Sequence, residues 1–187
     1  MELTSFGIEG VWIAESTVWS DERGFFREWF KAEDVKSATG RDFGIEQANF
    51  SLSSSGTLRG IHYSIAPRGQ AKWITCVSGS IKDVIVDIRI NSQTFGQWVE
   101  VELNGGSGKA IFISEGLGHS FLALEDNTAV TYLVSTPYSP SDEFEINPLD
   151  AKIGINWGME LSELKISDKD KSAPTLAGRL AEGKLPK

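Results

Sequence analysis

From Thr57 onward the chain alternates short apolar-rich runs with turns built on glycine, serine, asparagine or aspartate, and this rhythm limits what it can fold into. The runs fall at 57–63, 71–78, 81–90, 97–103, 109–114, 119–124 and 128–135. Turns such as Ser78-Gly79-Ser80, Asn104-Gly105-Gly106-Ser107-Gly108 and Glu125-Asp126-Asn127 separate them. Many short strands at roughly 8–12-residue spacing indicate an all-β sandwich or barrel. Within 81–90, period-2 alternation puts Asp83, Ile85, Asp87 and Arg89 on one face and Lys82, Val84, Val86, Ile88 and Ile90 on the other. The second face is nearly all apolar, as a strand lining a core requires.

The flanks are less regular. Val11 to Ala14 reads as a short strand, Ser20 to Gly24 as a polar turn, and Phe25 to Phe30 as a strand of aromatics around two charges. Ala32 to Ala38 predicts one or two helical turns closed by Gly40, and 45–51 returns to strand character. Beyond Pro148 we expect a strand at Ile153 to Trp157, a solvated charged loop at 167–174 and a short helix from Pro174 to Leu180. At 187 residues the simplest organisation is a single domain, 1–187, large enough to bury a core unaided.

Charge and cysteine content remove several function classes. With 18 Lys and Arg against 26 Asp and Glu the net charge is −8, and no basic stripe is present to track nucleic-acid phosphates. Cys76 is the sole cysteine, so no internal disulfide can form; inside Trp73 to Val77 it reads as a buried, inert thiol. The N-terminus lacks signal-peptide character and no apolar run is long enough to span a bilayer. A cytoplasmic protein with no membrane partner is the expectation.

Chemistry concentrates in Leu58-Arg59-Gly60-Ile61-His62-Tyr63 and the nearby Gln70-Ala71-Lys72. A guanidinium, an imidazole, a phenol and an ammonium crowd into residues that otherwise read as strand and turn. Taken singly, each residue has an ordinary structural account. His62 can be a satisfied core histidine, Lys72 a strand-end lysine, Tyr132 a core tyrosine, Tyr138 a turn residue and Asp170 a solvated member of a charge run.

Taken together, they match a pattern. Asp21-Glu22-Arg23-Gly24-Phe25-Phe26, Leu58 to Tyr63, Gln70 to Lys72, Asp83 to Arg89, Ser92-Gln93-Thr94-Phe95-Gly96, Glu115 to Phe121, Tyr138-Ser139-Pro140, Ile153 to Trp157 and Lys169-Asp170 recur in order along nearly the whole chain. In this the chain resembles the dTDP-4-dehydrorhamnose 3,5-epimerase family of nucleotide-sugar enzymes. The resemblance implies a cupin-type jelly-roll homodimer that needs no cofactor and no metal, with a dimerisation arm inside 1–56, a core at 57–147 and a strand and helical tail at 148–187. It implies that His62 is the base, oriented by Asp170, that Tyr132 is the acid on the opposite sugar face, and that Lys72 sits near the C4 oxygen with His119 in the same pocket. It further implies that Arg59 binds the nucleotide diphosphate, joined by Arg23 and Glu28 across the dimer interface. Gln47 and Asn49 would touch the nucleotide, Tyr138 would stack on thymine, and Glu143 and Lys169 would lie at the edge of the site.

That chemistry is self-sufficient. A 4-keto sugar acidifies its C3 and C5 hydrogens, so a base on one face, an acid on the other and a cation at the enolate oxygen suffice. An imidazole, titrating at about 6.5, suits the base, and a fixed ammonium suits the enolate. Arg59 and His62 fall on opposite faces under strict alternation, so serving one ligand requires a twist or bulge near Gly60. Ser64, Ala71, Leu133, Ala48 and Phe50 depart from the commonest family pattern, which leaves inversion at C3 alone or C5 alone as the alternative. A metal-dependent cupin is disfavoured because His62 and His119 are the only histidines and form no His-x-His pair. A non-catalytic sugar-binding module is disfavoured by the presence of both base and acid candidates.

Overall fold

The computed structural model describes residues 1–65 and 69–187, and its strands follow the turn rhythm closely. They are β1 (Glu2–Ser5), β2 (Val11–Glu15), β3 (Trp19–Asp21), β4 (Gly24–Phe26), β5 (Gln47–Ser53), β6 (Thr57–Ser64), β7 (Lys72–Ser78), β8 (Ser80–Asp87), β9 (Trp98–Asn104), β10 (Lys109–Ile113), β11 (Leu117–Ala123), β12 (Thr128–Val134), β13 (Glu143–Glu145) and β14 (Lys165–Ile166). Three short helices complete the described residues: α1 (Ala32–Thr39), α2 (Asp168–Lys171) and α3 (Leu176–Ala181). One sheet has the order β1-β2-β10-β7-β12-β5 and the other β13-β6-β11-β8-β9, giving a jelly roll. The hairpin β3–β4 stands apart from both sheets.

Apolar side chains are buried on both faces of each sheet. Between the sheets lie Ile74, Cys76, Ile81, Ile85, Ile111, Phe121 and Val130. Outside the first sheet, Val35 of α1, Phe43 and the partly buried Trp29 and Phe30 cover Trp73 and Phe112, and Trp73 Nε1 donates to the Trp29 carbonyl at 2.9 Å. Outside the second sheet, Ile153, Trp157, Leu164, Leu176 and Leu185 cover Leu58, Ile61, Tyr63, Val84, Val86 and Ile88. The apolar face of 81–90 therefore packs under the C-terminal segment, while its Asp83 and Ile85 face points between the sheets.

Four expectations are corrected, the first being the strand read at Phe25 to Phe30, which stops at Phe26. The strand read at 81–90 ends at Asp87, because the Asp87 carboxylate accepts from Arg89 N at 3.1 Å and from Ser92 Oγ at 2.6 Å and turns the chain. Ile153 to Trp157 is a turn, with Ile153 N and Gly154 N both donating to the Asp150 carbonyl and Gly154 at φ 68°; its alternating apolar residues fasten the segment to the second sheet instead. The charged loop at 167–174 contains α2, capped by Ser167 Oγ, and buries Asp170 to 4% exposure. The helix at Ala32 ends as expected, with Gly40 left-handed at φ 70°. Cys76 is fully buried and burial pushes its thiol up to about 11.

Asp87 also binds Arg89 Nε at 2.9 Å, and these hydrogen bonds outweigh burial, taking its carboxyl from 3.8 down to about 2. A folded-state value below the unfolded one stabilises the fold above the unfolded value, and that stability is lost as pH falls through the folded one. Asp87→Asn should thus cost roughly 2 kcal/mol near neutrality. In thermal melts the gap to wild type should close between pH 3.8 and about 2; a gap independent of pH would refute this role.

Candidate active site

β6 and β11 pair with a shifted register: Arg59 faces Phe121 and His62 faces His119, so Gly60 and Ile61 together oppose Ser120 alone. This is a β-bulge, and it moves His62 onto the same face as Arg59, because Phe121 and His119 are two residues apart. Gly60 is required there. Its φ is 118°, and a Cβ would come within 2.6 Å of the His119 carbonyl and 2.7 Å of Ser120 Cα. Polar groups that the bulge releases from the ladder find other partners. Ser120 Oγ donates to the Arg59 carbonyl at 2.7 Å, and Gly60 N donates to Asp170 Oδ2 at 3.5 Å.

The other oxygen of Asp170 lies 2.8 Å from His62 Nε2. Burial works against its charge, but hydrogen bonds from His62, Ser167 and Gly60 prevail and hold the carboxyl below its ordinary value. An ionised carboxylate only accepts, so Nε2 carries the proton and Nδ1 is left with a lone pair. His62 opens on a cavity of about 370 Å³, within the usual range for small-molecule sites. β6 and β13 form one wall with His62, Glu143 and Glu145; β5, β7 and β12 form the other with Gln47, Asn49, Lys72 and Tyr132; Tyr138 and Lys169 complete the rim.

The interior is unusually charged. Burial depresses Lys72, only 6% exposed, while the nearby Glu143 and Asp83 oppose that shift. Burial likewise raises Glu143 against the pull of Lys72, and raises Tyr132 against the pull of Arg59. Below the cavity, His119 Nε2 lies 2.8 Å from Asp83 Oδ1, both residues buried. A neutral phenol, a strained ammonium and an imidazole with a free nitrogen thus converge from opposite sheets on one space. They can remove a proton from one side of a carbon, supply one from the other and stabilise an oxyanion between.

A family model described as dTDP-4-dehydrorhamnose 3,5-epimerase matches residues 5–178. The chain belongs to that family. A Mycolicibacterium smegmatis dTDP-4-dehydrorhamnose 3,5-epimerase is 46% identical, covering 100% of this chain and 91% of the relative. A Streptomyces bikiniensis dTDP-4-dehydro-6-deoxyglucose 3-epimerase is 45% identical over 96% of this chain and 91% of its own. Among solved structures, the Mycobacterium tuberculosis RmlC epimerase superposes with a TM-score of 0.96 at 40% identity, covering 100% of this chain and 94% of that one. The family's members are isomerases, and this chain is one by descent.

Of the residues that the epimerase family resemblance singles out, His62, Lys72, Tyr132, Gln47, Asn49, Tyr138, Glu143 and Lys169 line the cavity. Asp170 stands behind His62, and His119 stands beside it on β11 beneath the lining. Arg59 is exposed with Nε 3.2 Å from Ser53 Oγ. Arg23 and Glu28 do not join the cavity: both are exposed, and Arg23 on the β3–β4 hairpin pairs with Asp21. Gln47 has a second task, since its Nε2 donates to Asn49 Oδ1 at 2.7 Å and its Oε1 accepts from Tyr138 N at 2.9 Å, tying the rim to β5.

Glu145 and Asp83 are among the site residues that escaped the sequence reading. Glu145 lines the cavity and pairs with Lys169 at 3.1 Å, and Asp83 carries His119. The signal for Asp83 was its place on the less apolar face of 81–90; Glu145, in a three-residue edge strand, offered none. If Lys72 is what restrains Glu143, then Lys72→Met raises the Glu143 titration midpoint further. Carboxyl ¹³C shifts of glutamate-labelled protein should show wild-type Glu143 above the ordinary glutamate range and the variant higher still; an unmoved midpoint would uncouple the two groups.

Proposed function

We propose that this epimerase inverts C3 and C5 of dTDP-4-dehydro-6-deoxy-D-glucose, giving dTDP-4-dehydro-L-rhamnose. The observation that carries the reading is the His62–Asp170 pair at 2.8 Å on one cavity wall with Tyr132 on the other. His62 Nδ1 takes the proton from the carbon beside the ketone, and the C–H electron pair moves into an enolate whose oxygen is met by the Lys72 ammonium. Tyr132 gives its phenolic proton to the opposite face of that carbon, and the enolate collapses to the ketone. Solvent then returns a proton to the phenolate and removes one from the imidazolium. Burial keeps Tyr132 protonated until that step, and the Arg59 charge favours the phenolate that follows.

Nucleotide binding follows from the rim. Tyr138, 59% exposed, offers a face on which thymine can stack, Gln47 and Asn49 offer amides, and Arg59 and Lys169 offer charge for the diphosphate. Glu143 Oε1 has no partner among the described residues and can accept from a sugar hydroxyl. Arg23 and Glu28 reach a site in a second copy of the chain. Edge strand β5 exposes Phe50 at 68% and Leu52 at 58%, and the hairpin exposes Phe25 and Phe26, an apolar surface suited to a homodimer. The Streptomyces bikiniensis relative, named a 3-epimerase, favours inversion at C3 alone as the second reading.

Incubation with substrate in D₂O distinguishes the readings. Deuterium at both C3 and C5 by NMR is expected, and label at C3 alone would overturn double epimerisation. His62→Ala should lower kcat by about 10²–10⁴-fold, and near-normal exchange in that variant would end the assignment of the base. Tyr132→Phe should keep exchange while losing inverted product. Sedimentation should give a species of about twice 20.5 kDa, and Arg23→Ala should raise KM; a fully active monomer would exclude the shared site.

A further inference from the structure

One guanidinium ties the C-terminal end of the chain to the cavity wall. Arg179 on α3 is 9% exposed. Its Nε donates to the Glu145 carbonyl at 2.8 Å, its Nη2 to Glu145 Oε1 at 3.4 Å and its Nη1 to Glu182 Oε2 at 2.8 Å. It also lies 5.3 Å from the ring centroid of Phe144, between the two cavity carboxylates of β13. The second oxygen of Glu145 pairs with Lys169 Nζ at 3.1 Å. Glu145 and Lys169 line the cavity, whereas Arg179 stands behind them.

We propose that Arg179 is a positioning residue for substrate binding: it fixes the Glu145 carboxylate, which in turn holds the Lys169 ammonium at the cavity rim for the diphosphate of the nucleotide sugar. This rests on the function proposed above. β13 is three residues long and lies at the edge of its sheet, paired only with β6. Arg179 grips both its backbone and its side chain, so the carboxylate keeps one orientation and offers Oε2 outward. Lys169 is a long side chain, 61% exposed, that would otherwise sample many rotamers and lose them on binding. Holding it beforehand removes that loss from the binding step. The hydrogen bond to Glu145 is also the largest cause of the raised Lys169 pKa, which secures its charge.

α2 carries Asp170 next to Lys169, and this makes the proposal separable from general loosening. Action through Lys169 appears in binding; action through Asp170 and His62 appears in turnover. Steady-state kinetics with the nucleotide sugar and calorimetry with dTDP should be measured for Arg179→Met, Arg179→Lys, Lys169→Met and the double variant Arg179→Met/Lys169→Met. Arg179→Met should raise KM and the dTDP Kd about tenfold while kcat falls less than about threefold, with partial recovery in Arg179→Lys. With Lys169 already replaced, Arg179→Met should add nothing. Additive effects, or a loss of kcat at constant KM, would overturn the proposal. If Arg179→Met does not fold, Glu145→Gln carries the same expectations against Lys169→Met. Wild-type protein that binds no dTDP and turns over no nucleotide sugar would overturn the functional reading itself, whereas normal wild-type behaviour with additive variants overturns this inference alone.

Discussion

The bulge at Gly60 and Ile61 is the constraint on which the site depends. A regular β6 would send His62 and Arg59 to opposite sides of the sheet, and the imidazole would be buried on the Leu58 side under the C-terminal segment. One extra residue flips the parity. The same irregularity leaves a backbone N–H without a ladder partner, and Asp170, the carboxylate that orients the imidazole, accepts it. Aiming His62 and seating Asp170 are therefore one structural event. The interaction spans 110 residues, so the C-terminal segment must be docked before the His62–Asp170 pair can form.

That docking explains why the two sheets are covered on their outer faces. A jelly roll whose interior holds Lys72, Asp83, Glu143 and His119 gives up apolar contact where a sandwich normally gains most. Apolar burial is recovered outside. The N-terminal arm and α1 pack on Trp73 and Phe112, and the C-terminal segment packs on Val84, Val86 and Ile88. At about 25 cal/mol per Å² of apolar surface, these flanking clusters help offset the desolvation of the charged interior. The same segments supply Asp170, Lys169 and Arg179, so stability and site assembly share one set of contacts.

Much of this was legible in the chain. The turn rhythm located the central strands to within a few residues, since glycine-containing turns and alternating apolar residues are local signals. His62 stood out because its neighbours were chemically diverse. Asp170 was not legible as a buried group: within Asp168-Lys169-Asp170-Lys171 nothing local distinguishes it from its exposed neighbours, and only the approach of α2 to the bulge buries it. Ile153 to Trp157 misled for the converse reason. Its alternation is real, but it records contact with a neighbouring sheet rather than membership of one. Glu145 and Arg179 meet across 34 residues, a separation at which pattern carries no information.

With His62 and Tyr132 in the proposed roles of base and acid, their placement bears on how many centres one site can invert. His62 projects from β6 and Tyr132 from β12, in different sheets, and the described residues that line the cavity include no second imidazole or phenol beyond Tyr138 at the rim. C3 and C5 flank the same ketone, which acidifies both, and either enolate carries its charge on the C4 oxygen that Lys72 is proposed to meet. On that proposal, whichever of them lies between His62 and Tyr132 is the one inverted. Double inversion then requires the sugar ring to turn within about 370 Å³ while its C4 oxygen stays near Lys72, and needs no additional catalytic group. Relatives named for one centre and for two can accordingly share this scaffold at 45% and 46% identity to the chain. The walls that would permit or prevent that turn include Glu143, Gln70 and Phe144, which border the cavity.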